Sequence, residues 1–423
     1  NKLLFQGWKS PMCFPFFQFR RKPSISLRLL SVQISVDEAE EFDFLTLSDL
    51  LQIGKRIKNA STENIKTDEL CNFSYLVQNE VTIRLKEQLR CLSQLPGVES
   101  GDCHHSLKKV RMLYQQLQQQ METTSHPTTS EQESQFGGMM KGIQQRTQGI
   151  ATEVPQGISH LRKELYDEGI MMQDSQELNF VLQQFYCSKV AMQVLIDQYV
   201  ECHKGFFREG YCGLIKEETF PSEVISAVIA DAQFMCARQN DRLRRKDPNM
   251  INLQVPEVKV IKDIEYPLPY IPDLLYYILL ELMKNSLRAV SEVYGIQAPG
   301  TEVPPIQVYI YDSECNHDTV IKISDLGGGI PRSKANHIFK FMVTSAPLAV
   351  QEAFLTTLGT DLQQTFTSSS PLFGLGVGLP MARVYARNFG GDVQLASIER
   401  RGTDAYIYLS KAGSAYSCVA DMI

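Results

Sequence analysis

Apolar residues recur at helical spacing through most of the first 240 positions, then give way to short alternating runs. Residues 70–95 read as one helix stopped by Pro96-Gly97. From Gln115 a glutamine-rich stretch runs through Met121-Glu-Thr-Thr-Ser-His-Pro127 to Gly137-Gly138. It predicts a helix end followed by a long polar loop of disorder-prone composition. Between Leu178 and Tyr199, the residues Val181, Phe185, Met192, Leu195 and Tyr199 share one helical stripe, the face of a bundle core. Pro221-Ser222-Glu223 starts a further helix ahead of residues 224–237.

From Asn252 the period shifts towards two. Strands are expected at 253–261, 306–311, 319–323, 392–397 and 405–409, with helices at 273–294 and 379–389. The first half therefore predicts an all-α domain. The second predicts an α+β sandwich, with helices packed on one face of a mixed sheet. A chain of 423 residues suits two such domains.

Composition narrows the classes. Hydrophobic content of 43% and charged content of 21% describe a globular protein. A net charge of −6 supplies no basic footprint for nucleic acid. The densest apolar run, residues 274–283, is about half a bilayer crossing and contains Glu281, so no transmembrane helix is implied. Ten cysteines without a Cys-x-x-Cys pair suggest reduced, packed thiols. Cys103-His104-His105 lacks a second ligand cluster and reads as a polar loop. Residues 1–41 open with Lys2, Lys9, Arg20, Arg21, Lys22 and Arg28 and no acid before Asp37, the composition of a transit segment leading to the mitochondrial matrix.

Three blocks carry candidate chemistry. Glu281-Leu-Met-Lys284-Asn285-Ser-Leu-Arg288 sets a carboxylate, a carboxamide and a guanidinium on one helix face at i, i+4 and i+7. Asn285 suits magnesium, which takes hard oxygen ligands and retains water. Glu281 is placed to accept a proton beside a terminal phosphate, and Lys284 and Arg288 to neutralise phosphate charge. Asp325-Leu326-Gly327-Gly-Gly329 closes an apolar strand with a carboxylate that must find a donor when buried. An adenine amino group is such a donor, and the glycines let backbone approach the base. Gly374-Leu375-Gly376-Val377-Gly378-Leu379 exposes amides ahead of a helix, where phosphate can sit. Taken singly, each block also fits plain structure: a solvated helix face, a tight turn, a flexible loop. Their order excludes the ordinary protein kinases, whose glycine loop precedes Asp-Phe-Gly, and no Gly-x-x-x-x-Gly-Lys-Ser/Thr is present.

In this order, with Gly402-Thr403-Asp404 opening the last strand, the blocks resemble the ATPase superfamily of gyrase, Hsp90, histidine kinases and MutL, the GHKL or Bergerat fold. Together with Phe339-Lys-Phe-Met-Val-Thr344-Ser345-Ala-Pro347, Leu45-Thr-Leu-Ser-Asp-Leu-Leu51, Asn179-Phe-Val-Leu-Gln-Gln-Phe-Tyr-Cys-Ser-Lys189 and Tyr270-Ile-Pro-Asp273, they look like the mitochondrial pyruvate and branched-chain 2-oxo acid dehydrogenase kinases. The resemblance spans roughly residues 42–411. It implies a four-helix-bundle regulatory domain at 42–225, a GHKL ATP-binding domain at 226–411 and a short tail at 412–423. It further implies Glu281 as general base, Asn285 as magnesium ligand, Arg288 as phosphate partner and Asp325 as adenine anchor. Thr344 and Ser345 would touch nucleotide, residues 374–379 would form a lid, and Thr403 would back the adenine. The substrate would be a serine of an E1α subunit, with docking on E2 lipoyl domains, homodimers and, in some members, a potassium ion near the lid.

Three features depart from the family pattern. Tyr277 stands where many relatives carry histidine, Leu326 where many carry arginine, and no Asp-Trp tail follows Leu409. The tail leans towards the branched-chain type and the Phe185-Tyr-Cys-Ser-Lys189 helix towards the pyruvate type, which is the reading adopted. The other readings are a histidine autokinase, for which His160-Leu-Arg-Lys lacks the expected acid and proline, and a nucleotide-regulated binding module.

Overall fold

The computed structural model describes residues 45–95, 98, 104–167, 176–246, 252–262, 265–298, 300–312, 318–343 and 376–411. All belong to one compact unit. The basic leader, the tail at 412–423, Pro96, Gly97, Thr344, Ser345, Gly374 and Leu375 lie outside the described residues.

Six helices come first: α1 (Leu47–Lys58), α2 (Glu63–Ser93), α3 (His105–Thr123), α4 (Ser130–Thr147), α5 (Ile150–Asp167) and α6 (Gln176–His203). Only Gln148 and Gly149 separate α4 from α5, so the pair acts as one interrupted helix. With α2, α3 and α6 it makes a four-membered bundle against which α1 packs. Val181, Phe185, Met192, Leu195 and Tyr199 are all buried, as their stripe predicts. Tyr199 sits edge-on to Phe73 and to Phe136, with both centroid distances at 5.4 Å.

Two expectations are corrected here. Helix α2 begins at Glu63, seven residues before the predicted start, because Thr62 accepts from the Ile65 N–H as an N-cap. The predicted polar loop reaching Gly138 shrinks to a short connection, and α4 takes its place. Thr129 caps that helix, while Phe136, Met140 and Ile143 supply an apolar stripe that the glutamines obscure. Gly137 lies within α4 for want of space: a Cβ there would stand 2.2 Å from the His203 ring.

The first half is also not purely helical. Strand β1 (Tyr211–Cys212) pairs with β2 (Ile215–Thr219), which pairs with β4 (Leu268–Tyr270) in a small antiparallel sheet. Helix α7 (Pro221–Lys246) then leads to a five-stranded sheet of order β3-β5-β6-β8-β7. Its strands are β3 (Val258–Lys262), β5 (Ile306–Tyr311), β6 (Asp318–Asp325), β7 (Asp392–Ile398) and β8 (Gly402–Ser410). Strand β3 runs parallel to β5 and the remaining pairs are antiparallel, so the sheet is mixed.

One face of the large sheet is apolar. Val308, Ile310, Ile321, Ile323, Ala405 and Ile407 are buried there, under α8 (Pro272–Gly295) and α9 (Gly378–Arg387). The other face carries Tyr309, Lys322 and Tyr406 in register, with the Lys322 ammonium 5.4 and 5.7 Å from the two rings. Asp392 receives a bidentate Arg383 at 2.8 and 3.1 Å and Arg387 at 3.0 Å, which ties α9 to β7. Burial alone would raise this carboxyl, but the two guanidiniums hold it below the usual aspartate value. No described helix is long and apolar enough to cross a membrane.

Between α4 and α6, the Glu133 carboxylate takes a bond from the Tyr199 hydroxyl at 2.7 Å and lies 2.9 Å from His203 Nδ1. That bond to Glu133 raises the His203 pKa against the opposing effect of burial. The stabilisation is therefore full below the unfolded value of about 6.5 and fades as pH rises through the folded value. We predict that His203→Gln lowers the melting temperature more at pH 6 than at pH 8.5; an equal loss at both would contradict the linkage.

Candidate functional site

Helix α8 has two working faces. Leu275, Ile278, Leu279, Leu282, Met283, Ser286, Leu287 and Val290 are buried, and the helix packs on the large sheet, α7 and α9. Glu281, Asn285 and Arg288 remain half-buried along one flank, so the predicted i, i+4, i+7 face exists. Lys284 is only 4% exposed and donates to Glu281 Oε1 at 2.7 Å. Arg288 Nε stands 3.8 Å from Glu292 on the next turn. Behind Glu281, Tyr277 is packed edge-on to Tyr385 of α9 at 5.0 Å. Burial, then the nearby Glu281 carboxylate, holds the Tyr277 phenol well above its ordinary value. Its neighbour across working pH is thus a neutral phenol, not a titrating imidazole.

Strand alternation delivers the second group. In β6 the residues Ile321, Ile323 and Asp325 share the core face, so the last carboxylate points under α8 and is 6% exposed. Asp325 Oδ2 accepts from Ser286 Oγ at 2.8 Å, and Oδ1 accepts from the Gly327 N–H at 2.9 Å. Burial pushes its carboxyl above the usual aspartate value, against the pull of Gly327, Ser286 and the Thr403 backbone. Thr403 lies opposite Asp325 in register, its hydroxyl 3.0 Å from Ser397 Oγ. Leu326 is 45% exposed at the mouth of the turn.

The glycines of this turn are accounted for by packing. A Cβ on Gly327 would lie 2.5 Å from the Ala289 Cβ and 2.8 Å from that residue's carbonyl carbon. Gly329 has φ +69°, and a Cβ there would lie 2.1 Å from the Ile398 carbonyl oxygen. Close approach of α8 and of the β7–β8 hairpin thus demands glycine at both positions.

The third group opens α9. Gly376 adopts φ +75°, Val377 and Leu379 are half-buried, and the first turn has no side-chain cap, which leaves amide donors for an anion. A Cβ on Gly378 would stand 2.1 Å from Glu281 Oε2. The third glycine is therefore the one that lets the helix start abut the carboxylate.

The described site thus brings together Glu281, Lys284, Asn285, Arg288, Asp325, Gly327, Gly329, Gly376, Val377, Gly378, Leu379 and Thr403. Ser286 escaped the sequence reading: it belongs to the first block, but only strand register shows that Asp325 meets it. Ser397, which accepts from the Ile330 N–H at 2.7 Å, carried no motif at all. His104 of the Cys103-His104-His105 run accepts from the Ser106 N–H and starts α3. Among the described residues no group of three or more His, Cys, Asp or Glu could hold a metal. The donor set at the site is instead a carboxamide beside a carboxylate. That oxygen chemistry fits magnesium sharing its sphere with phosphate and water.

Gly327→Ala forces a methyl into helix backbone and is predicted to cost about 1–3 kcal/mol in urea unfolding. Unchanged stability would contradict the close α8–β6 approach.

Residues 44–216 match the family described as mitochondrial branched-chain alpha-ketoacid dehydrogenase kinase. Residues 270–413 match the histidine kinase-, DNA gyrase B- and HSP90-like ATPase family. The chain is 32% identical over 339 residues to the mitochondrial pyruvate dehydrogenase (acetyl-transferring) kinase of Arabidopsis thaliana, covering 80% of this chain and 84% of that one. It is 27% identical over 350 residues to isozyme 3 of the Homo sapiens enzyme, covering 81% and 79%. For the Schizosaccharomyces pombe enzyme the identity is 30% over 278 residues, covering 66% of this chain and 59% of the relative. With a helical bundle, a mixed sheet under two helices and this set of matches, the chain belongs to the mitochondrial pyruvate and branched-chain 2-oxo acid dehydrogenase kinase family of the GHKL superfamily.

Proposed function

We propose that this protein is an ATP-dependent protein serine kinase that phosphorylates and inactivates the E1α subunit of a mitochondrial 2-oxo acid dehydrogenase complex, pyruvate dehydrogenase before the branched-chain enzyme. The observation that carries the reading is Glu281. Its carboxylate has one oxygen on Lys284 and the other against Gly378, beside the half-buried Asn285.

In this reading Asp325 accepts from the adenine amino group, with Gly327, Gly329, Thr403, Thr344 and Ser345 around the nucleotide. Asn285 holds magnesium through its carboxamide oxygen. Magnesium, when bound there, would offset the negative charge that develops on the phosphates during transfer. Lys284, Arg288 and the amides of residues 374–379 hold the phosphates. Glu281 takes the proton from the substrate serine hydroxyl as the serine oxygen bonds to the terminal phosphorus and the bond from that phosphorus to the bridging oxygen breaks, releasing ADP.

The regulatory bundle would occupy residues 42–225 and the catalytic domain 226–411. Docking on an E2 lipoyl domain, residence in the matrix and a potassium ion near the glycine block rest on the resemblance. A homodimer rests on the resemblance as well.

The test is transfer of labelled phosphate from magnesium ATP to the two purified complexes in parallel. Labelling of E1α serine, faster on pyruvate dehydrogenase, is expected. Glu281→Gln should lower kcat by about 10²–10⁴-fold while ATP still binds. ATP binding with no transfer to either complex, or acid-labile phosphate on the chain itself, would overturn the assignment. Gly378→Ala should displace the Glu281 carboxylate and lower kcat at least about tenfold; retention of full activity would refute the contact.

A further inference from the structure

Bundle helix α6 packs against α9 and also holds the segment that precedes the glycine block. Asn179, in its first turn, accepts through Oδ1 from the Phe341 N–H at 2.9 Å. Seven residues on, Tyr186 stacks on the Phe341 ring at 4.8 Å with planes 13° apart. A separation of seven residues is two helical turns, so one α6 face grips Phe341 by backbone and by ring.

What Phe341 leads into is constrained. Met342 has φ +64°, a conformation costly for a residue with a side chain and held only by its surroundings. Its N–H donates to the Gly376 carbonyl at 2.9 Å. Gly376 lies so close to Val343 that a Cβ would stand 2.5 Å from the Val343 carbonyl oxygen. Two residues further, Gly378 abuts Glu281. An unbroken series of contacts therefore runs from a bundle side chain to the glycine block and the carboxylate.

We propose that Asn179 is a positioning residue for nucleotide: by holding the Phe341 N–H it fixes the Met342 turn on which Gly376 and Gly378 are registered. Asn179 is half-exposed and touches no nucleotide itself, so its influence passes through Phe341. A bundle helix thereby sets the affinity of the ATP pocket. The inference rests on the reading of this pocket as an ATP site.

The experiment is titration of the full chain with a fluorescent ATP analogue and magnesium, alongside steady-state kinetics on E1. Asn179→Leu removes the acceptor and should weaken nucleotide binding about three- to tenfold, with KM for ATP raised in proportion. Asn179→Asp keeps an acceptor oxygen for the Phe341 N–H and should restore wild-type affinity. The inference falls if Asn179→Leu binds as tightly as wild type, or if Asn179→Asp is as weak as the leucine variant. A wild-type chain that binds no ATP analogue would sink the nucleotide reading itself, whereas a silent Asn179→Leu in a binding-competent chain sinks only this inference.

Discussion

A carboxylate buried at the end of a strand is the constraint around which the rest of the site is arranged. Asp325 can sit at 6% exposure because Ser286, the Gly327 N–H and the Thr403 backbone satisfy it. Ser286 must then face the sheet, and α8 must approach β6 closely enough that Gly327 has no room for a side chain. One residue along a helix is a rotation of about 100°, so a Ser286 turned inward leaves Asn285 on the flank, with Glu281 one turn before it. The position of the candidate base is in this sense a consequence of satisfying the aspartate.

The same geometry explains what was legible in the sequence. Helix α8 announces itself because its apolar stripe and its polar flank are both continuous, and β5 and β6 because alternation is clean where only one face is buried. Helix α4 was hidden, since glutamines outnumber its few core residues and its two adjacent glycines read as a breaker. The reason for Gly137 is the ring of His203, 66 positions away, which no local pattern can show. Strands β1, β2 and β4 are too short to display a period; β1 and β2 form a local hairpin, and β4 joins it only through the distant pairs Lys216–Tyr270 and Thr219–Leu268. Within the site, motif spacing identified the half-buried flank but not Ser286, whose role depends on the register between α8 and β6.

The departures from the family pattern acquire physical content. Tyr277 fills its place as a buried ring on Tyr385 and brings no ionisable partner to Glu281 in the neutral range, which leaves Lys284 as the charged neighbour of that carboxylate. Leu326 exposes an apolar side chain where a cation would add charge at the pocket mouth. The bundle, for its part, is more than a support. Through Asn179 and Tyr186 it contacts the segment that registers the glycine block, so bundle and pocket share one stretch of backbone.

In the proposed site, Asp325 presents an acceptor to the base of the nucleotide. Adenine carries an amino donor at the position where guanine carries a carbonyl oxygen, so the two bases meet that carboxylate with opposite consequences. Competition between ATP and GTP for the magnesium-loaded chain, read by displacement of a fluorescent adenine nucleotide, measures this directly. ATP should displace the probe and GTP should do so at least about a hundredfold more weakly; equal displacement by the two nucleotides would mean that Asp325 does not meet the base.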